Sequence, residues 1–295
     1  MLKNLLDKLF KIEISHLSIA FGNLDSFFST KGKCLKKHIE IKNPRFGFFA
    51  DPFIVKVEKK RILIILEEYS FFKGGKISLI NYNIKNNRYV VTNLLKGKHY
   101  SYPSLNSFNK KKYIFPEMSA HYKNFFYKLK SKKLINKTEY FENFNVIDPT
   151  LFKIKNLFWI FAGKKGPKEN KDLYLYYSRD LKNWKKHKQN PIIKNKENNC
   201  RSAGSIISFR KKFFRPAQNC EKSYGRELRI NLIKNLNKFD YKEKLLFTIK
   251  PKDIDKYCDG IHHISFKENL IVFDKKKYKY SLLKIFYKMF RLINT

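Results

Sequence analysis

The chain has 295 residues, and 64 Lys and Arg against 25 Asp and Glu leave a formal net charge of +39. With 43% hydrophobic and 16% aromatic residues it can bury a sizeable core, as one large domain or two small ones, and disorder throughout is excluded. The excess is carried by 54 Lys and only 10 Arg, which A/T-rich codons produce unaided; it fits a solvated surface better than a nucleic-acid reading head, where Arg makes the bidentate contacts.

At the N-terminus Leu2, Leu5, Leu6, Leu9 and Phe10 fall at i, i+3, i+4, i+7 and i+8, one apolar stripe of a helix with lysines beside it. Residues 1–37 are therefore read as an N-terminal amphipathic segment. Leu282, Ile285, Phe286, Met289 and Ile293 repeat the pattern among Lys284, Lys288 and Arg291, giving a C-terminal amphipathic segment over 281–295. Such helices cover exposed parts of the main domain in the plainer reading; in the other they lie on an anionic membrane surface. The apolar runs are too short or too broken by Lys to cross a bilayer, and no secretory leader is recognisable, so the expected location is cytoplasmic with peripheral membrane contact. Cys34, Cys200, Cys220 and Cys258 show no metal-ligand spacing, so reduced thiols are expected, with no metal and no cofactor.

Between these ends, residues 38–280 repeat one plan: a short motif of Asp-Pro or small residues, an apolar run, a polar turn and a second aromatic or β-branched strand. The five segments begin at Asp51, Tyr102, Asp148, Ala203 and Gly260, with steps of 51, 46, 55 and 57 residues. Each step holds about four strands with their loops, the spacing of propeller blades. Third strands are visible from Lys76, Asn124, Asp172 and Glu227, and the stretch from His38 is placed to supply an outer strand that closes the ring with the last blade. The fold class is therefore all-β, a five-bladed β-propeller with short amphipathic helices at both ends; a β-sandwich is the alternative, but it does not require five sister hairpins.

The first strand of each blade lines the channel, so chemistry belongs where the five strand starts meet. Asp51 and Asp148 stand at equivalent starts, and Glu117 ends the second strand of blade two. Acids converging on one funnel supply a base, an acid of raised pKa and an electrostatic modulator. Against this, Asp-Pro is also an ordinary way to begin a turn. Candidate substrate contacts are His99, Tyr102, Arg201, Ser202, Arg215, Gln218, Asp259 and His262. Arg215 either holds a ligand group together with Gln218 or pairs with a channel carboxylate. His262 and His263 face opposite sides of a strand, so only one reaches the axis.

The motifs FADPF (Phe49 to Phe53), HYSYPS (His99 to Ser104), FPEM, IDPT, LYLYYSRDLKNWKKHKQNPI (Leu173 to Ile192), RSAG, RPAQNC and DGIHH together resemble the N-terminal domain family of glucosamine inositolphosphorylceramide transferase, over about Phe46 to Phe273. That family is similar to the five-bladed glycoside hydrolases of the arabinanase and xylosidase type. The resemblance implies that Asp51 is the general base and Asp148 the modulator. The implied general acid, a Glu at the start of blade four, has no counterpart among Arg201, Ser202, Ala203 and Gly204, so Glu117 would have to replace it. Two classes of function follow. One is a carbohydrate-active enzyme, an atypical hydrolase or a transferase, acting on a glycan, glycolipid or sugar-phosphate. The other is a non-catalytic glycan-binding module that assists a glycosyltransferase partner.

Overall fold

A computed structural model describes residues 2–142 and 144–293; Met1, Asn143, Asn294 and Thr295 lie outside the described residues, as do the side chains of Leu2 and Ile293 at the ends of the two apolar stripes. The chain opens with helix α1 (Leu2–Phe10), strand β1 (Lys11–Phe21), a short helix α2 (Leu24–Ser29) and strand β2 (His38–Glu40). Blade one is β3 (Gly47–Glu58), β4 (Arg61–Ser70), β5 (Gly74–Asn83) and β6 (Arg88–Leu95). Blade two is β7 (Ser101–Phe108), β8 (Lys111–Glu117), β9 (Phe125–Lys130) and β10 (Lys133–Glu139). Blade three is β11 (Val146–Ile154), β12 (Leu157–Lys164), β13 (Tyr174–Ser178) and β14 (Lys185–Lys186). Blade four is β15 (Ile207–Phe209), β16 (Lys212–Asn219), β17 (Glu227–Leu236) and β18 (Tyr241–Ile249). After the single-turn helix α3 (Pro251–Ile254) come β19 (Gly260–Lys267) and β20 (Leu270–Tyr280), and helix α4 (Leu283–Ile293) follows.

Each blade is a four-stranded antiparallel sheet, and the fifth has the order β19-β20-β1-β2. The stretch from His38 is thus the outer closing strand, as its sequence indicates, but it is only half of the closure. All eleven residues of Lys11–Phe21 pair with Leu270–Tyr280. The propeller therefore begins at Lys11 rather than at His38, and the amphipathic segment is α1 alone. The stripe of α1 conceals this boundary because Ile12 extends the helical period into a segment whose strand partner lies at the other end of the chain. The seam is also held by charge. Glu40 on β2 bonds His16 on β1 at 2.7 Å and lies 3.0 Å from Lys275 on β20, and these contacts bring its carboxyl down to about 2.

Apolar residues fill the wedges between adjacent blades, giving five cores rather than one. Leu17, Ile19 and Val272 meet Phe49, Ile62 and Ile64 between blades five and one. Trp159 and Phe161 pack between blades three and four, and Phe158 lies against the wedge between two and three.

Removing residues 11–21 should leave β20 with an unpaired edge and one wedge open, whereas removing residues 2–10 should leave the ring closed. The expected result is a cooperative thermal transition for the shorter deletion and its loss, with aggregation, for the strand deletion, read by circular dichroism and light scattering.

Candidate active site in the axial cavity

The Asp-Pro motifs are not turns. In β3, Ala50 pairs with Glu67 and Phe53 with Ile65, so Asp51 and Pro52 together oppose one residue. Blade two skips Tyr102 and Pro103 in the same way, and blade three Asp148 and Pro149. These are β-bulges in which Pro lacks an N–H and so needs no ladder partner. The residue before each Pro is left-handed, with φ of 49° at Asp51, 42° at Tyr102 and 44° at Asp148. Asp tolerates that region better than most residues, whereas for Tyr it is a strained conformation held by its surroundings. The bulge re-aims the side chain, and at Asp51 and Asp148 this presents carboxylates to the cavity.

Below the bulges the axis is closed. Tyr102, fully buried, reaches across it: its Oη shares a hydrogen bond with Thr150 Oγ1 at 2.7 Å and accepts one from Gly204 N–H at 3.0 Å. Phe53 and His263 complete the plug, with ring centroids 4.5 Å apart. Gly204 belongs here because a Cβ would lie 2.1 Å from Ile264 O. Tyr102 is therefore a plug residue, not a substrate contact.

Above the plug lies a cavity of about 480 Å³ lined by Asp51, Glu67, Glu117, Asp148, Arg201 and His262, with His99 and Ser101 nearby. Its organising group is Asp274, buried on β20. Asp274 Oδ2 accepts from Asp51 N–H at 2.9 Å, and Oδ1 accepts from His263 N–H at 2.9 Å and lies 2.9 Å from His262 Nδ1. The other side of the imidazole, Nε2, stands 3.4 Å from Asp51 Oδ1, while Asp51 Oδ2 accepts from Tyr102 N–H at 3.2 Å. Burial opposes charge on His262, but Asp274 and Asp51 outweigh it and hold the imidazole well above its ordinary pKa. Burial likewise pushes Asp51 up, yet His262 and the Tyr102 N–H bring it below its ordinary value. His263 is lowered to about 4 by burial. The two histidines part as expected, one to the acids and one to packing, with His262 as the extra residue of a bulge between Ile261 and His263.

Glu67 within β4 and Glu117 at the end of β8 stand at matching positions, paired with Ala50 and Ser101 just before the bulges. Glu117 Oε2 accepts from Asp148 N–H at 3.1 Å and Oε1 from Ser119 Oγ at 2.9 Å, so both oxygens are engaged in holding blade three. Glu67 differs. His99 Nδ1 is 3.9 Å from Glu67 Oε1, but it accepts a hydrogen bond from Gly75 N–H and so turns no proton toward the carboxyl. Burial, reinforced by Asp51 and Glu117, raises Glu67 well above the usual carboxylate range. Asp148 is also raised by burial, although Arg201 Nε stands 2.7 Å from its Oδ2. Arg201 Nη2 donates to Tyr224 Oη at 3.3 Å. Gly225, at φ 57°, lets that loop sit over His262, because a Cβ there would lie 2.5 Å from His262 Cβ.

Several candidate contacts stand elsewhere. Arg215, with none of its side chain exposed, binds Glu243 of β18 through two nitrogens at 2.7 and 2.8 Å, so its partner is an outer-strand acid and not a channel carboxylate. Gln218 is buried and donates to Ser202 O at 2.8 Å, bracing the start of blade four, and Ser202 is itself buried. Asp259 is exposed and caps Tyr278 N–H. None of these four lines the cavity. Sequence reasoning passed over Glu67, Asp274, Tyr224 and Tyr287. Aligning the second strands of the repeats exposes the first two, since ILE and IVFD carry an acid after an apolar run as IFPE does; Tyr224 and Tyr287 come from a loop and a terminal helix and carry no repeat signal.

Asp51, His262 and Asp274 offer ligand atoms within 4.8 Å of one another, the one metal-type grouping among the described residues. These side chains already pair with one another and accept from three backbone N–H groups, so an ion there would have to displace the imidazolium bridge. The four cysteines are free thiols and belong to no such group.

Fold and cavity together define a five-bladed β-propeller with an acidic axial pocket. The chain belongs to the family described as glucosamine inositolphosphorylceramide transferase 1, N-terminal, whose model matches residues 37–266. It is 31% identical over 158 residues to glucosamine inositolphosphorylceramide transferase 1 of Oryza sativa subsp. japonica, covering 49% of this chain and 20% of that protein. The protein of the same name from Arabidopsis thaliana is 28% identical over 186 residues, covering 58% and 24%. The chain thus spans a fifth to a quarter of the length of these relatives. Among solved structures, the catalytic domain of a Coprinopsis cinerea GH62 α-L-arabinofuranosidase superimposes with a TM-score of 0.59 at 10% identity, covering 80% of this chain and 94% of that one. An α-L-arabinofuranosidase from Lactobacillus brevis gives 0.50 at 13% identity, covering 76% and 81%. Both show the fold.

Replacing Asp274 by Ala should cost about 3–5 kcal/mol, because it strands the imidazolium and two buried N–H groups, and Asp274→Asn should cost less; urea denaturation of both variants checks this. Glu67→Gln should do the opposite. The folded state holds the Glu67 proton more tightly than the unfolded chain, so stability falls as pH rises from the ordinary carboxylate range through the raised value, by about 1.4 kcal/mol per unit of separation. The variant should melt higher than wild type, by a margin that widens between pH 5 and pH 8.

Proposed function

We propose that this chain acts on the sugar end of a glycolipid in the axial cavity, cleaving or transferring a glycosidic bond with Asp51 as base and Glu67 as acid. The reading rests above all on one observation. Asp51 Oδ1, Asp148 Oδ2 and Arg201 Nε are buried polar atoms without an aligned hydrogen bond among the described residues, and all three residues face the same cavity. Each has an ion-pair neighbour, Arg201 Nε at 2.7 Å from Asp148 Oδ2 and His262 Nε2 at 3.4 Å from Asp51 Oδ1, and a polyhydroxyl ligand supplies the aligned hydrogen bonds that these charges lack. Phe48, Tyr69, Phe71 and Tyr287 give the cavity an aromatic wall for the apolar face of a sugar ring, with Phe48 and Tyr69 stacked at 4.6 Å and Phe71 and Tyr287 at 5.0 Å. The glycolipid substrate is supported by the relatives, whose name is glucosamine inositolphosphorylceramide transferase.

The chemistry follows from two carboxyls whose surroundings drive them apart. Asp51 takes the proton of the attacking hydroxyl, from water in hydrolysis or from an acceptor sugar in transfer. As the new C–O bond forms and the glycosidic C–O bond breaks, Glu67 gives its proton to the departing oxygen. Arg201 and Asp148 orient the ring hydroxyls or a neighbouring phosphate. Glu67 thereby fills the role that the resemblance assigns to blade four. Glu117, with both oxygens occupied by Asp148 N–H and Ser119, is better suited to positioning blade three than to giving up a proton. A second reading, binding without turnover in support of a glycosyltransferase, is favoured by Arg201, which stands at the blade-four start and pairs with Asp148.

Asp51→Asn and Glu67→Gln should each lower kcat/KM on the productive glycolipid or aryl glycoside by about 10²–10⁴, with sugar affinity changed far less. Wild-type activity should rise as pH passes through the depressed value of Asp51 and fall through the raised value of Glu67; Glu67→Gln should remove the alkaline limb. A wild type that binds sugars but turns over none of a glycolipid panel belongs to the second reading. One that binds no sugar sinks both.

A further inference from the structure

The two terminal helices, far apart in sequence, lie together at the rim of the cavity. Lys284 at the start of α4 donates from Nζ to the carbonyls of Asp7, Lys8 and Lys11 at 3.3, 3.0 and 2.6 Å, closing off the C-terminal end of α1. Tyr280 Oη donates to Asp7, and Ser281 N–H donates to Phe10 O at 2.9 Å. On the inner side Tyr287 stacks on Phe71 and meets Phe72 edge-on at 4.8 Å. Lys284 and Tyr287 both line the cavity, so its wall continues into the helix pair.

The outer side of the pair is apolar and uncovered. Leu5, Leu6 and Leu9 on α1 are 53, 41 and 37% exposed; Leu282 and Phe286 on the other side are 74 and 64% exposed, with Ile285 and Met289 also exposed. So many large apolar side chains in one place exceed what a soluble monomer leaves bare. Around them stand the exposed lysines Lys8, Lys73 and Lys279, on a chain with a net charge of +39. Among the described residues no helix is long and apolar enough to cross a membrane.

We infer that α1 and α4 form one docking surface for an anionic bilayer, their apolar faces entering the headgroup boundary while the neighbouring lysines meet lipid charge. An apolar stripe flanked by cations is the pattern of a helix lying in the interface, and two paired stripes bury more than one. An acidic protein partner matches the lysines but not the apolar stripe between them. The cavity wall shares Lys284 and Tyr287 with this surface, so docking brings its mouth to the level of lipid headgroups. That purpose rests on the function proposed above; the docking itself does not.

The test is co-sedimentation of the full chain with vesicles of phosphatidylcholine alone and of phosphatidylcholine with phosphatidylserine. A triple variant, Leu6→Ser, Leu282→Ser and Phe286→Ser, changes exposed side chains and no charge, and its melting curve checks that the propeller is intact. Wild type should prefer the anionic vesicles, and the triple variant should bind them about tenfold or more weakly. In a Phe286→Trp variant, new emission should be quenched by bromine-labelled acyl chains. Equal binding by wild type and triple variant means that lysines alone attract the vesicles, and the inference falls. It falls too if wild type ignores anionic vesicles, or if it self-associates through this face and the triple variant is monomeric, which makes a second copy the occupant. Turnover of a soluble aryl glycoside reads the cavity separately.

Discussion

A carboxylate with no access to solvent, Asp274, ties the last blade to the first and sets the charge of the site in the same set of contacts. Its oxygens receive the N–H groups of Asp51 and His263 and face the imidazole of His262. A buried charge of this kind is tolerable only when donors surround it, and here the donors are the backbone of one neighbouring blade and the histidine of its own. Moving either blade would break the compensation. The imidazolium it sustains then keeps Asp51 ionised, so an element of ring closure also sets the charge facing the cavity.

The bulges work with this arrangement. Three X-Pro pairs interrupt the inner strands at matching positions, and each turns its left-handed residue out of the ladder. In blades one and three the product is a carboxylate at the cavity; in blade two it is a tyrosine that crosses and seals the axis. One backbone device therefore builds both the reactive floor and the stopper beneath it, and the side chain at the bulge decides which. Glu67 lies on the adjacent strand, close enough to feel Asp51 and Glu117, and these with burial outweigh the opposing charge of His262. Its high proton affinity follows from that placement.

Much of this was legible from residues alone. Five repeated hairpins were enough for the propeller, because each blade is local in sequence and its strands alternate cleanly. Asp51, Asp148, Glu117, Arg201, His99 and His262 were found through the same repeat, and they do line one cavity. Lys11–Phe21 was not found as a strand, since its partner lies at the opposite end of the chain and no hairpin signal marks it. Arg215 and Gln218 misled for a related reason. Their place on the second strand of blade four was clear, but the buried Glu243 and the Ser202 carbonyl that claim them sit on segments whose approach only tertiary packing fixes. The resemblance pointed to a blade-four acid that this chain lacks, and the buried Glu67 on blade one was visible only by laying second strands side by side.

The placement of Lys11–Phe21 inside the final sheet governs the order in which the ring can be completed during synthesis. This strand is made before blades one to four, yet the edge it needs, Leu270–Tyr280, is made only after them. Throughout translation the nascent chain carries an orphan β-segment, and the earlier blades must fold as an open arc before the circle can shut. Contacts of such long sequence separation form slowly and leave edges exposed meanwhile. At a net charge of +39, such arcs meet as like-charged bodies that repel one another.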